Sequence, residues 1–164
     1  MKETVGLGLL LFAFVDGRPS MYTVKELRSK PAISKEAGMV GPPFETMEDG
    51  DNGTTGTLMR LLSEETPFPA ELITICEVVP QKFNLIPNRP DIFTLYGYGT
   101  YNGDPYKIGN PKDNDIEFAG WRSVAELHSM FEKNRNSLRV ETLPILGHFR
   151  RSGHYARILN LVHD

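Results

Sequence analysis

The chain has 164 residues, 40% of them hydrophobic and 24% charged, with a formal net charge of −3. Such a length fits one domain, here residues 1–164, because domains commonly run about 100–150 residues. The composition is that of a soluble globule, and its weak acidity excludes a general attraction to nucleic-acid backbone or anionic membrane. Its single cysteine, Cys76, excludes an internal disulfide. A reducing, cytoplasmic location is expected.

Residues 5–15 are an apolar run closed by Asp16-Gly17. The run is too short to span a bilayer, which needs about 20 residues. Its basic flank is Lys2, cancelled by Glu3, and no small-residue cleavage site follows, so it does not read as a signal peptide. A buried strand ending in a turn is predicted instead, with a second strand over residues 21–25. Residues 27–41 read as a loop or short helix.

Residues 43–53 hold Pro43, Gly50 and Gly53 with the acids Glu45, Glu48, Asp49 and Asp51, and are predicted to form a loop. A helix is predicted over residues 55–66, with Thr54 or Thr55 as N-cap. Leu58, Leu61 and Leu62 make one apolar stripe. At about 100° per residue, Glu64 lies at the edge of that stripe and Glu65 almost on it. A carboxylate on a buried face is costly unless it is paired or metal-bound, and its acidic neighbour adds repulsion. Two such acids suit a hard divalent cation, which takes oxygen ligands. The plainer alternative is a surface ion pair between Arg60 and Glu64, one helical turn apart.

Pro67 and Pro69 end this helix. Residues 71–79 are rich in β-branched side chains and predict a buried strand that carries Cys76 as a structural thiol. Residues 80–90 read as a loop. Residues 91–101 predict a strand whose Tyr96, Tyr98 and Tyr101 serve sheet packing rather than base stacking. A turn-rich loop covers residues 102–114, and a strand follows over 115–121. Ser123 and Glu126 form a capping box, so a helix is predicted from Val124 to about Asn134. Residues 138–146 read as a strand or extended segment, with Pro144 arguing against a central position. Tyr155, Ile158, Leu159, Leu161 and Val162 predict a terminal helix. His148, His154 and His163 share no ligand spacing and read as surface or satisfied residues. Arg150 and Arg151 read as solvated. There is no phosphate-binding loop, dinucleotide fingerprint or nucleophile elbow.

Three stretches resemble the Nudix family. RLLSEET, beginning at Arg60, is similar to the second half of the Nudix box. PFETMEDGD, beginning at Pro43, resembles the loop before it. EFAGWRSVAEL, beginning at Glu117, resembles a later strand-turn-helix segment. Departures accompany the matches. Glu45 stands at the opening glycine, Asp51 at the loop glutamate, Leu61 at the glutamate after the arginine and Pro67 at the closing glycine. One extra residue separates Asp51 from Arg60.

The resemblance implies an α/β fold, a Nudix-like α/β/α sandwich with a mixed central sheet. It implies a hydrolase of nucleoside diphosphate-linked compounds that needs Mg²⁺ or Mn²⁺ and takes a small-molecule nucleotide substrate. In that reading Glu64 and Glu65 are the metal-binding doublet and Arg60 orients them. Asp51 and Glu48 add ligands or hold the loop. Asp113, Asp115 and Glu117 are candidates for a further, later carboxylate. A Glu at position 61 would complete a three-carboxylate cluster, so Leu61 is expected to border a depleted metal site. The alternatives are a Nudix-fold module that binds a nucleotide or a protein without cleaving it, and a purely structural domain.

Overall fold

The computed structural model describes residues 2–163, without the side chains of Val162 and His163. The expectations at those two side chains therefore lie outside the described residues. The strands are β1 (Thr4–Val15), β2 (Arg18–Glu26), β3 (Val40–Gly41), β4 (Phe44–Thr46), β5 (Ile73–Phe83), β6 (Ile92–Tyr101) and β7 (Ile116–Arg122). The helices are α1 (Thr54–Glu65), α2 (Val124–Lys133), α3 (Thr142–Arg151) and α4 (His154–His163). No helix among the described residues is long and apolar enough to cross a membrane.

Strand β1 is the centre of a mixed sheet. One edge pairs in parallel with β6. The other pairs antiparallel with β4 at Gly6–Gly8 and with β2 at Phe12–Val15. β3 and β7 both join β2, and β5 joins β6 at the far end. Because successive side chains of a strand point to opposite faces, β1 feeds two cores. Leu7, Leu9, Leu11 and Ala13 pack with Leu58 and Leu61 of α1. Leu10 and Phe12 pack with Leu127 of α2, Phe149 of α3 and Ile158 of α4. A strand covered on both sides reads as a continuous apolar run, which is the pattern of residues 5–15. The layers are thus α1, the sheet, and α2 to α4.

The tyrosines of β6 divide in the same way. Tyr96 and Tyr98 are fully buried in the second core, and Tyr101 is buried in the first. His148 and His154 accept or donate at Nδ1 to these tyrosine hydroxyls, at 2.6 Å to Tyr96 and 3.0 Å to Tyr98. Each ring thereby has a partner at Nδ1. Cys76 is half-buried, and its burial pushes the thiol pKa up. The Ser123–Glu126 capping box forms as expected.

Several local expectations are corrected. Strand β5 continues through Pro80 to Phe83 instead of ending at residue 79. It is an edge strand whose pairing shifts register between Val79 and Phe83, a place where a missing N–H is tolerated. Residues 142–146 are helical, not extended. Pro144 lies in the first turn of α3, where backbone N–H groups have no partner inside the helix. The acidic loop contains β4, a strand of three residues, and a one-turn 3-10 helix over Asp49–Asp51. Neither is long enough to leave a periodic signal. α1 is capped by Gly53 rather than by Thr54 or Thr55.

Leu61 is completely buried. Leu61→Ala should therefore cost about 2–5 kcal/mol, read as a lower urea midpoint with an unchanged slope. Leu61→Glu, which buries a carboxylate without a partner, should cost at least as much. Equal urea midpoints for wild type and both variants would contradict this placement.

Candidate functional site

The site begins where the chain enters α1. Asn52 and Gly53 take left-handed backbone angles, φ 57° and 83°, which asparagine and glycine tolerate best. This reversal folds the 3-10 turn back onto the helix. A Cβ on Gly56 would collide with the carbonyl oxygen of Asp51, so only glycine allows that approach. Asp51 is buried and accepts from the Glu48 backbone N–H at 2.8 Å and the Thr57 hydroxyl at 2.9 Å.

Arg60 completes the shell around Asp51. Its Nε and Nη2 donate to the two carboxylate oxygens at 2.6 and 2.7 Å. Hydrogen bonds from Arg60, then from the Glu48 backbone, hold the Asp51 pKa well below the usual carboxylate range. Nη2 also donates to the carbonyl of Thr46 at 2.6 Å. Nη1 lies 3.0 Å from Oε1 of Glu45 and 3.8 Å from Glu48. One guanidinium thus joins α1, β4 and the acidic turn.

The last turn of α1 carries Glu64 and Glu65. Helix ends leave carbonyls without partners, and here tertiary donors reach them. The Asp113 N–H donates to the Glu64 carbonyl at 2.9 Å, and the Tyr22 hydroxyl to the Glu65 carbonyl at 3.0 Å. Thr66 donates to the Leu62 carbonyl at 2.7 Å. These bonds fix the doublet against β2 and the loop before β7. The position is electrostatically poor for acids, because a helix C-terminus carries partial negative charge.

Glu45, from β4, meets this doublet. Ligand oxygens of Glu45, Glu64 and Glu65 all lie within 4.8 Å of one another. Oε2 of Glu45 is buried and has no hydrogen-bond partner. Burial raises the Glu45 pKa, Arg60 opposes, and Glu64 raises it further. Glu65 is 5% exposed. Burial, followed by its hydrogen bond with Asp113 and the charges of Asp113, Glu45 and Glu26, pushes its pKa to about 9. Burial works to raise Asp113 too, but the hydrogen bonds from Glu65 and from the Asp115 backbone prevail and hold it low.

Of the residues expected from sequence, Glu64 and Glu65 come together in this cluster. Arg60 reaches Glu45 rather than the doublet, and no Arg60–Glu64 ion pair forms among the described residues. Asp51 and Glu48 are not brought to the cluster; the acceptors of Asp51 face Arg60 and Thr57, and Glu48 is two-thirds exposed. Of the later acids, Asp113 meets Glu65. Asp115 pairs with Arg28 and Lys30, and Glu117 with Lys25. Leu61 is completely buried in the core with Leu7, Leu9 and Leu58, one helical turn before the buried Glu65. The third carboxylate is Glu45, whose only sequence signal was its place at the box's opening glycine.

A cleft of about 160 Å³ opens beside the cluster. Glu45, Glu65 and Asp113 line it, as do the buried Glu26 and Arg139 and the half-buried Lys35. The acid cluster fits a hard cation on chemical grounds. It offers oxygen donors alone, and its buried, unpaired Oε2 and crowded like charges are relieved by positive charge.

Without metal, the folded chain keeps the Glu65 proton that the unfolded chain releases at its ordinary value. Stability should therefore fall as pH rises from about 4.5 toward about 9. Mn²⁺ must displace that proton, so its affinity should rise over the same range. Thermal melts of metal-free wild type and Glu65→Gln check this: the variant should show a flatter pH dependence. Parallel curves would contradict the Glu65 assignment.

No protein-family model matches the chain, and no curated protein matches it either. Solved structures do. The Nudix domain of Shewanella oneidensis NrtR, complexed with ADP ribose, is 15% identical at TM-score 0.67, over 93% of this chain and 89% of its own. A C. elegans Ap4A hydrolase is 13% identical at TM-score 0.58, over 94% of this chain and 98% of its own. A bifunctional NMN adenylyltransferase/ADP ribose pyrophosphatase from Francisella tularensis, complexed with AMP and a manganese ion, is 14% identical at TM-score 0.61, over 92% of this chain and 42% of its own. A mixed sheet between α1 on one side and α2 to α4 on the other, with α1 presenting the Glu64–Glu65 doublet, gives this chain the Nudix fold.

Proposed function

We propose that the protein is a metal-dependent hydrolase of small nucleotides joined through a pyrophosphate. One observation carries the reading: Glu45, Glu64 and Glu65 converge, and a buried oxygen of Glu45 is left without a partner. These three residues would hold Mg²⁺ or Mn²⁺. When bound, such an ion offsets charge on phosphoryl oxygens and activates water. Arg60 is a positioning residue in this scheme, since it fixes Glu45 through Nη1. Asp51 and Glu48 hold Arg60 and the turn in place. In the absence of metal, ionised Asp113 accepts a hydrogen bond from protonated Glu65 and so keeps a second carboxylate poised at the cleft.

Support from relatives is of two kinds. The NrtR domain is complexed with ADP ribose, and the C. elegans neighbour is an Ap4A hydrolase. The Francisella neighbour carries a manganese ion with AMP. Phosphate-bearing nucleotides and a divalent metal ion are the ligand chemistry that an oxygen-only cluster beside a charged cleft suits.

A second reading, nucleotide binding without turnover, is favoured by Leu61. The catalytic helix lacks one of the box's glutamates, and Glu45 supplies a carboxylate from another element. The two readings separate in one experiment. The purified protein is incubated with ADP-ribose, dinucleoside polyphosphates, nucleotide sugars and nucleoside triphosphates, with Mg²⁺ or Mn²⁺, and the nucleotide products are separated and quantified. Turnover should appear with at least one compound and vanish with chelator. Glu45→Gln should weaken Mn²⁺ binding by about tenfold or more, within the range seen when a metal site loses a supporting group. Nucleotide binding with no turnover would select the second reading, and Mn²⁺ affinity unchanged in Glu45→Gln would remove Glu45 from the site.

A further inference from the structure

Strand β1 shares one edge between two partners, β4 at Gly6–Gly8 and β2 at Phe12–Val15. The cleft lies in the split between them, with Val24 and Glu26 of β2 on one wall and Phe44 and Glu45 of β4 on the other. Arg139 spans this split. It is 7% exposed, with Nη1 3.4 Å from Oε1 of Glu26 and Nη2 2.7 Å from Glu141. Its guanidinium lies over the Phe44 ring, 4.3 Å from the centroid. Its backbone is fixed as well, since the Arg139 N–H donates to the Val40 carbonyl at 2.9 Å. Lys35 meets the same oxygen of Glu26 at 3.2 Å. Arg139 and Lys35 face Glu26 and Glu141 charge for charge, so the group is neutral as a whole.

The Phe44 ring is held from β1 too. Gly8 is its pairing partner, and a Cβ on Gly8 would collide with the ring. Glycine in a strand allows such a close approach. Phe44 is thus fixed both by the β1 backbone and by the Arg139 guanidinium. Successive side chains of a strand point to opposite faces. Phe44 packs on the second core, and Glu45, the next residue, meets the acids of α1. Whatever fixes the Phe44 ring therefore fixes the backbone that delivers Glu45. Stability alone does not account for an arginine here. A buried ion network adds little net stability over apolar side chains of the same volume, because desolvating its charges is costly. What a planar guanidinium adds is direction, since it is drawn to the face of an aromatic ring.

We infer that Arg139 is a positioning residue for the metal site, acting through Phe44 to set where β4 delivers the Glu45 carboxylate. The inference rests on the metal-dependent reading above, in which Glu45 is a ligand. Arg60 holds Glu45 directly through Nη1, and Arg139 holds the same strand through its other face. The segment leading into α3 thereby gains a part in metal affinity.

The test is calorimetric titration with Mn²⁺ of wild type, Phe44→Leu, Arg139→Lys, the double variant and Phe44→Tyr. Phe44→Leu removes the ring and leaves the ion pairs in place, so the fold should survive it. Phe44→Leu and Arg139→Lys should each weaken Mn²⁺ about tenfold, the scale of losing a group that orients a ligand. The double variant should lose no more than either single one, because both cut the same contact. Phe44→Tyr, which keeps the aromatic face, should stay within about twofold of wild type. In metal-free protein, the Leu9 and Met47 amides, which donate to the Pro43 and Val5 carbonyls and tie β4 to β1, should exchange faster in Phe44→Leu and Arg139→Lys, with β6 unchanged. Three results overturn the inference and leave the metal reading standing: Mn²⁺ affinities equal to wild type in both single variants, losses that add in the double variant, or Leu9 and Met47 amides that exchange as in wild type. A wild type that binds no Mn²⁺, or a Glu45→Gln variant that binds it as wild type does, removes Glu45 as a ligand and the inference with it. Should Arg139→Lys melt far below wild type, Arg139→Met with Glu141→Gln takes its place, since Lys35 still balances Glu26.

Discussion

The Arg60 guanidinium is the interaction on which the candidate site depends. Its planar fork matches the two oxygens of Asp51, the strongest geometry available to an arginine and a carboxylate. The remaining donors reach a backbone carbonyl and a side chain of β4. A lysine has no such fork and could not serve three elements at once. The pull of Asp51 and Glu45 also explains why Arg60 turns away from Glu64. An i, i+4 contact on an exposed helix face is worth a few tenths of a kcal/mol, far less than a bidentate pair inside the shell of Asp51.

Against this anchored frame, the acids at the end of α1 are poorly placed in every electrostatic respect. They crowd one another, they sit at the negative end of a helix and one of them is buried. Such an arrangement costs stability in the metal-free protein. Two apolar cores on either side of β1 supply the compensation. Concentrating unfavourable charge where chemistry is needed, on a scaffold stable enough to tolerate it, is the common trade between stability and activity.

Much of the architecture was legible because its signals are periodic and local. The apolar run of β1, the stripe of α1, the aromatic strand β6 and the Ser123–Glu126 box each state their structure within about a dozen residues. The site was legible in part, through the Glu64–Glu65 doublet and Arg60. Glu45 was not, because it acts from a three-residue strand whose existence depends on pairing with Gly6–Gly8 of β1. The full burial of Leu61 was legible only in part. Its angle on the helix placed it near the doublet, but depth into the core is set by the sheet beneath, which helical geometry alone does not reveal. Pro144 misled in the opposite direction, since proline opposes a strand and the interior of a helix but not its first turn.

The attachment of β4 to β1 has a consequence for how the molecule opens. β1 is hydrogen-bonded on both edges and covered on both faces, so its amides belong to the unit that exchanges with solvent only when the whole chain unfolds. β4 and the 3-10 turn are held to that unit by a short run of strand pairs, by the Phe44 ring packed on the second core, by the Thr57 hydroxyl on Asp51 and by the Arg60 guanidinium. The acids at the end of α1, by contrast, are tied to the core through Leu58, Leu61 and Tyr22. Two carboxylates therefore ride on a helix fixed to the core and the third on a three-residue strand, so the geometry of the cluster depends on how β4 docks on β1.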